Sequence, residues 1–169
     1  MKKLLSFITV FALLFTACEG PQGPPGFEGP QGLPGQNGET ALAFEITTNF
    51  NAPNFSHEEP YGFTVFPDEI TLVYILWETL NDGSRVWRLM PQTVIFDNGD
   101  DLVYNFDFTT QEVLLFLEGS NLPALGNEWT QNQTFRIVVI PTTSFSRIDL
   151  TDINAVIDFY GITEFEKRN

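Results

Sequence analysis

Glycine recurs at every third position from residue 20 to residue 38, and this strict period constrains the chain more than any other feature of its sequence. The positions between hold five prolines, and the seven glycines are Gly20, Gly23, Gly26, Gly29, Gly32, Gly35 and Gly38. Three polyproline II chains can wind about a common axis only where every third residue lacks a side chain, because the axis has no room for one. The period therefore predicts a triple-helical stalk over residues 20–40, and hence a homotrimer. A flexible linker rich in proline and glycine is the alternative, although a linker needs no fixed period.

The segment before this run has the layout of a secretion signal. Two lysines follow Met1, a mostly apolar stretch covers residues 4–15, and small residues precede Cys18. A membrane-spanning helix needs about 20 apolar residues, so this stretch is too short to be one. Residues 1–17 are therefore predicted to be a signal peptide that is removed from the mature chain.

Cys18 is the only cysteine in the chain, so a disulfide within one chain is impossible. The sequence Phe15-Thr-Ala-Cys18 resembles the lipobox of bacterial lipoproteins, with Phe15 where that family usually has leucine. The resemblance implies cleavage before Cys18 and diacylation of this residue, which makes residues 18–19 the lipidated N-terminus. Several acyl chains hold a protein on a membrane durably, at about 0.8 kcal/mol per buried methylene. The expected location is the bacterial cell envelope, at the outer membrane or cell surface; an ordinary leader with an incidental cysteine is the alternative.

The glycine-rich run resembles a collagen-like domain. It begins two residues after Cys18, so the stalk is expected to start at the membrane surface, and at ~3.1 Å per residue it spans on the order of 65 Å at most. So short a triple helix needs support from clustered acyl chains or from the C-terminal domain. The whole arrangement is similar to that of bacterial collagen-like surface lipoproteins. Its layout alone is similar to that of complement C1q-like proteins, whose heads are trimeric jelly-rolls.

The remaining 129 residues, Ala41 to Asn169, suffice for one domain with a sizeable core. The formal net charge of the chain is −14, and loss of the leader removes two lysines and lowers it to −16. Such a surface repels nucleic acid and anionic lipid headgroups, so nucleic-acid binding is not expected.

Most of this domain has the pattern of β-strands. Alternating, β-branched or aromatic residues predict strands at 41–48, 70–80, 85–90, 93–96, 102–108, 112–118 and 135–140. Asp82-Gly83 and Asn98-Gly99 have the turn chemistry of tight hairpins. Residues 49–60 and 119–134 are predicted to be loops, the second containing Trp129.

The last part of the domain changes to a helical period. Apolar residues at 153, 156, 157 and 160 share one face of a helix, which we expect over residues 152–160, with Thr151 as its N-cap and Gly161 as its end. The predicted fold class is mainly β: an antiparallel β-sandwich or jelly-roll with one short C-terminal helix, preceded by the Gly-X-Y segment.

Two clusters of polar residues are candidate metal sites. Asp97, Asp100 and Asp101 offer the oxygen ligands that Ca²⁺ prefers, but their spacing does not fit the helix–loop–helix calcium motif, and a hairpin turn with solvated acids also explains them. The only histidine, His57, precedes Glu58 and Glu59. Three consecutive loop residues do not easily face one ion, so a solvated loop is the preferred interpretation.

The sequence favours a non-enzymatic protein without a cofactor. One histidine and one cysteine leave no nucleophile–base pair of the usual kind, and no phosphate-binding motif occurs. Trp77, Trp87 and Trp129 belong either to the core or to a sugar-binding face. We expect a lipid-anchored envelope protein with a structural or adhesive role and an unidentified extracellular or envelope ligand. The alternatives are a glycan- or calcium-binding module and, more remotely, a glycan hydrolase with paired carboxylates.

Overall fold

A computed structural model of the chain describes residues 41–144 and 148–168. The predicted signal peptide, Cys18 and the Gly-X-Y run lie outside these residues. The described elements are β1 (Leu42–Thr48), β2 (Ser56–Pro60), β3 (Glu69–Thr79), β4 (Arg85–Leu89), β5 (Gln92–Ile95), β6 (Asp101–Phe108), β7 (Glu112–Gly119), α1 (Asn127–Thr130), β8 (Gln133–Pro141), α2 (Ile153–Tyr160) and β9 (Glu166–Arg168). Single 3₁₀ turns follow β7 at Leu122–Ala124 and β8 at Thr142–Ser144. The domain is thus mainly β, as predicted.

The strands form two sheets. Sheet A has the order β4-β3-β8-β1-β9, and sheet B has the order β2-β7-β6-β5. Neighbouring strands run antiparallel, except that β9 pairs in parallel with β1 through Phe44 and Glu166. The predicted antiparallel arrangement is wrong at this edge, where β9 runs in the same direction as β1.

One hydrophobic core joins the two sheets. Alternate residues of every long strand point into it and are almost fully buried, among them Phe44 and Ile46 of β1, Val73 and Ile75 of β3, Leu102 and Tyr104 of β6, Val113, Leu115 and Leu117 of β7, and Phe135, Ile137 and Val139 of β8. Aromatic rings supply much of the volume; Phe50, for example, meets Phe135 edge to face with ring centres 5.9 Å apart. This alternation is the pattern of strands that are buried on one face.

Sheet A is covered on its other face as well. Helix α2 packs Ile153, Val156 and Tyr160 against a second cluster that includes Tyr74 of β3 and Val138 of β8. Strands β3 and β8 are therefore buried on both faces, which accounts for their nearly continuous apolar sequences. The Tyr74 hydroxyl donates to the Leu150 carbonyl oxygen at 2.6 Å and ties the segment before the helix to the sheet.

A network of charges and rings extends this second face of sheet A. The carboxylate of Glu45 in β1 is buried and accepts from Nε of Arg136 at 3.0 Å and from Nη1 of Arg85 at 3.2 Å. The Arg136 guanidinium lies 4.3 Å from the ring centre of Trp87 and 4.1 Å from that of Phe165. Burial lowers the pKa of Arg136, the bond and charge of Glu45 oppose this shift, and Arg85 adds to it. The network therefore joins strands β4, β8 and β1 and the segment before β9.

The two predicted hairpins are confirmed. β3 and β4 are joined through Gly83, which has φ +86°, and β5 and β6 through Gly99, which has φ +91°. In the first turn the Ser84 amide donates to Asp82 at 2.9 Å, and this bond lowers the pKa of the Asp82 carboxyl. Left-handed backbone of this kind favours glycine, so local sequence was enough to locate both turns.

The predicted helix is confirmed over Ile153–Tyr160, but the predicted N-cap, Thr151, is wrong. Asp152 is the cap, and its carboxylate accepts from the Asn154 amide at 2.9 Å. Thr151 lies one residue earlier and donates its hydroxyl to Asp149 at 2.7 Å. Gly161 ends the helix with φ +63°, as expected.

The loop predicted for residues 49–60 is wrong at its C-terminal end. Residues 56–60 form β2, which pairs antiparallel with β7 from Ser56 with Phe116 to Pro60 with Glu112. The sequence Ser-His-Glu-Glu-Pro has no hydrophobic pattern, so the pairing comes from its neighbour strand rather than from its own residues. Strand β9, which was not predicted, is a second case of the same kind.

Candidate ligand-binding cleft

A cleft of about 410 Å³ opens between the β5–β6 turn and the connection from β7 to β8. Residues 96–101 contribute one wall, and residues 121–129 contribute the other. The first wall contains the acidic turn that the sequence singled out. The second wall belongs to the segment that was predicted only as a turn-rich connection.

The turn of the first wall is held by its own hydrogen bonds. The Phe96 amide donates to the Asp100 carbonyl oxygen at 2.9 Å, and the Gly99 amide donates to the Phe96 carbonyl oxygen at 2.9 Å. The Asn98 side chain bridges the turn, donating to a carboxylate oxygen of Asp100 at 2.8 Å and accepting from its amide at 3.0 Å. These bonds use backbone and side-chain groups that lie next to one another in sequence, so the turn forms locally.

Ser120, just before the second wall, also holds the turn in place. Ser120 donates its amide to the Asp101 carboxylate at 3.1 Å, and its hydroxyl accepts from the Asp101 amide at 3.0 Å. Gly119, just before it, has no room for a side chain, because a Cβ there would meet the backbone carbonyl oxygen of Asp101. Close approach of the two strands at this point keeps the two walls in register.

The second wall presents Trp129 from helix α1. The backbone of this residue is anchored from below by Tyr104, whose hydroxyl donates to the Trp129 carbonyl oxygen at 2.7 Å. Its ring meets Phe96 edge to face, with ring centres 5.4 Å apart and planes at 83°. Each wall thus contributes one aromatic ring, and both rings line the cleft.

The charge of the cleft is entirely acidic. Asp97, Asp100, Asp101 and Glu128 line it, and the lining residues include no lysine or arginine. Burial, and then the charge of Glu128, raise the pKa of Tyr104 beneath it, which keeps this hydroxyl a hydrogen-bond donor. Aromatic faces, carboxylates and the amides of Asn98 and Asn121 can bind hydroxyl-rich or cationic groups, whereas the field disfavours an anionic ligand.

The three acids considered for calcium share the first wall of this cleft. Asp101 already accepts from Ser120, and Asp100 accepts from Asn98. Across the part of the chain that the structure describes, no group of three or more histidine, cysteine, aspartate or glutamate side chains is arranged to hold a metal ion. Calcium binding by Asp97, Asp100 and Asp101 remains a prediction from the sequence.

A smaller cleft of about 120 Å³ lies at the other side of Trp129. The residues that line it include Trp77 and Gln133. It shares Glu128 and Trp129 with the larger cleft, and it is also lined by Tyr104, which bonds to the Trp129 backbone. The guanidinium of Arg88 covers Trp77 at 4.1 Å from its ring centre. Trp77 and Trp129 are therefore partly buried and pack on the core, and Trp129 also lines the larger cleft. The smaller cleft lies below the size of an ordinary ligand pocket.

His57 and its two acidic neighbours do not converge. In β2 the side chains alternate, so His57 and Glu59 share one face, with Nε2 and Oε2 3.2 Å apart, while Glu58 points to the other. Glu59 also lies 3.8 Å from Arg168 of β9. The structure therefore places this cluster at a junction between the edges of the two sheets.

The chain matches no protein-family model, no curated protein and no solved structure with which it was compared. Within the described residues, no helix has the length and apolar character needed to span a membrane. The predicted lipid attachment at Cys18 and the collagen-axis glycines lie outside the residues that the structure describes.

Proposed function

We propose that this chain is a lipid-anchored, non-enzymatic protein of the bacterial cell envelope, in which a short trimeric stalk presents a β-rich head to an external ligand. The observation that carries this proposal is the unbroken glycine period that begins two residues after the only cysteine. Acylated Cys18 provides the anchor, residues 20–40 provide the triple helix, and residues 41–169 provide the head.

The way in which the head begins supports a display role. β1 starts at Leu42, directly after the Gly-X-Y run, and it is an interior strand of sheet A. It pairs with β8 from Leu42 to Thr48 on one side and with β9 from Phe44 to Ile46 on the other. A stalk joined to this strand would transmit force into the middle of a sheet, where pairing on both sides resists it.

The strand orders support a β-sandwich with jelly-roll-like winding. The chain passes from β1 in sheet A to β2 in sheet B and back to β3, and it later passes from β7 to β8. As a result β1, β8 and β3 lie side by side in one sheet, and β2 and β7 do so in the other, as in two interlocked Greek keys. The β3–β4 hairpin departs from this alternation between sheets.

Two substitutions test the anchor and the stalk separately. Cys18→Ser should move the chain from the membrane fraction to the soluble fraction and remove the acyl mass. Gly29→Val should abolish the trimer in light scattering, because a valine cannot fit at the triple-helix axis. Gln31→Val, in the same triplet but not at a glycine position, is the matched control and should stay trimeric. Trimers that survive Gly29→Val, or membrane retention after Cys18→Ser, would contradict the proposal.

A glycan-binding head is the second candidate function, and the cleft at Trp129 favours it. Two rings, four carboxylates and two amides line about 410 Å³ without a basic residue, a mixture that suits a neutral sugar. A binding oligosaccharide should raise the melting temperature of the full chain by mass action, and Trp129→Ala should cancel this rise. The same assay with Ca²⁺ and Asp100→Asn tests the calcium alternative. If no neutral sugar or Ca²⁺ moves the melting temperature, this second candidate is wrong.

A further inference from the structure

We propose that the outer face of sheet B is a docking surface for a basic, partly apolar protein segment. The surface, called the open face below, consists of the outward-pointing residues of β2, β7, β6 and β5. This inference concerns the head alone and goes beyond the anchor, the stalk and the cleft.

The strand register defines which residues form the open face. Leu102, Tyr104, Val113, Leu115 and Leu117 point into the core and are buried, so the residues between them point outward. Cross-strand pairs then place Glu58, Leu114 and Asp107 in one row, Ser56, Phe116 and Asn105 in the next, and Glu118, Val103 and Thr93 in a third. A hydrogen bond of 2.8 Å from the Asn105 amide to the Glu118 carboxylate confirms that their side chains share this face.

The centre of the open face is apolar. Leu114, Phe116 and Val103 form a diagonal across β7 and β6, and Ile95 of β5 continues it. None of the four belongs to either hydrophobic cluster of the domain. Ile95 is 78% exposed, more than any other large hydrophobic residue of the described chain. By contrast, the outer face of sheet A is covered by α2.

Carboxylates lie on both sides of this apolar diagonal. Glu58 and Asp107 stand on either side of Leu114, Glu118 is paired with Val103, and Asp101 is paired with Ile95. All four strands of sheet B together contain six carboxylates and not one lysine or arginine. Strands are about 4.8 Å apart, so acids on β2 and β6 flank the apolar row at roughly 10 Å from each other.

The arginines that the structure describes do not neutralise this face. Each arginine of the described chain rests on an aromatic ring: Arg85 on Trp87, Arg88 on Trp77, Arg136 on Trp87 and Phe165, and Arg168 on Phe44. All four belong to strands of sheet A. The described arginines thus belong to one sheet. Arg168 reaches sheet B at Glu59, 3.8 Å away, but Glu59 points away from the open face because it alternates with Glu58 along β2.

Charge complementarity selects the occupant. A segment that alternates apolar side chains with lysine or arginine can place its apolar residues on the central diagonal and its cations against the flanking acids. A second head does not suit this face, because it would bring further negative charge to it (the net charge of the chain is −14), and the proposed trimer forms through the stalk instead. Anionic lipid headgroups are repelled for the same reason. The partner expected here is therefore a basic protein segment.

The test is a binding titration of the full chain, in a neutral detergent, with a synthetic peptide of alternating lysine and valine. A glutamate–valine peptide of equal length is the charge control and should not bind. The affinity of the lysine peptide should fall as salt is raised, since exposed charges are screened. Absence of binding by the lysine peptide, or equal binding by both peptides, overturns the proposal.

Matched variants locate the binding. Asp107→Asn with Glu118→Gln should weaken binding about tenfold, as expected for the loss of two exposed charge pairs. Asp158→Asn with Glu164→Gln makes the same change in net charge at exposed residues outside sheet B, and it should weaken binding less than twofold. Ile95→Ser should weaken binding about fivefold without affecting the fold, because its side chain is mostly exposed. Equal losses in the two double variants would show attraction to net charge alone and overturn the proposal, whatever the fate of the anchor and trimer tests.

Discussion

Substitution of Glu45 by glutamine should destabilise the head more than any other single loss of charge in the described chain. The carboxylate is only 7% exposed and is bonded to both Arg136 and Arg85, at 3.0 and 3.2 Å. Glutamine keeps the shape and one acceptor but removes the charge. Stacking on Trp87 still holds both guanidiniums in place, so two cations would remain close together with no counter-charge.

The magnitude follows from the burial of the three partners. Breaking a fully buried ion pair by removing one member costs about 3–5 kcal/mol. The Arg85 side chain is 33% exposed and that of Arg136 is 19% exposed, so water partly compensates them. We therefore expect Glu45→Gln to lower the free energy of unfolding by about 2–3 kcal/mol. Arg85→Met leaves the shorter Glu45–Arg136 bond intact and should cost about 1 kcal/mol or less.

Urea unfolding of the full chain, followed by tryptophan fluorescence, measures this difference. All three tryptophans lie in the head, at 77, 87 and 129, and Trp87 belongs to the network itself. Asp158→Asn, at an exposed position of α2, is the control and should change stability by less than about 0.5 kcal/mol. All variants are compared at one protein concentration, because assembly shifts apparent stability. A Glu45→Gln protein as stable as this control would refute the role assigned to the network.

Two further predictions concern packing and pH. Gly119→Ala should lower the free energy of unfolding by about 1–3 kcal/mol, because its Cβ would meet the backbone of Asp101. Gly126→Ala should lower it by less than about 1 kcal/mol, since its Cβ would meet only the end of the flexible Glu128 side chain. Equal losses in urea unfolding would contradict this prediction. Burial is the main cause that raises the pKa of Tyr74 and Tyr104 above the ordinary value. Above about pH 10 the unfolded chain loses these protons while the folded chain keeps them. The free energy of unfolding therefore falls above this pH, by about 1.4 kcal/mol per pH unit for each tyrosine that stays protonated in the folded state. Urea unfolding at pH 9 to 11 measures this loss, and phenolate absorbance follows the tyrosines of the folded protein. If all four tyrosines titrate with ordinary pKa values in the folded protein, the prediction is wrong.

The parts of the fold that depend on local chemistry were predictable from the sequence. The hairpin turns required glycine at Gly83 and Gly99, and the helix end required it at Gly161; all three have positive φ. The long strands were recognised because their apolar content is high whatever covers them. The sequence alone does not show why β3 and β8 are apolar on both faces, because the helix that covers their second face, α2, is a separate segment of the chain.

The parts that depend on distant partners were missed. β2 and β9 are short and polar, and each becomes a strand only because β7 or β1 offers an unpaired edge. The cleft shows the same limit: its acidic turn was recognised at 97–101, but the opposite wall at Glu128 and Trp129 comes from a segment without a periodic pattern. A tryptophan in such a turn-rich connection was the one available indication that this segment packs against something.

If sheet B binds a partner as proposed, the two sheets have different roles in the head, and this difference accounts for its charge distribution. Sheet A receives the chain at β1, is covered by α2, and binds its arginines internally through Glu45 and aromatic rings. Those requirements of stability leave little of sheet A free for a partner. Within residues 41–144 and 148–168, no helix packs on the outer face of sheet B, and the strands of this sheet contain no lysine or arginine. Because a surface of that kind gains most from a positively charged partner, selection for binding would act on sheet B while selection for stability acts on sheet A.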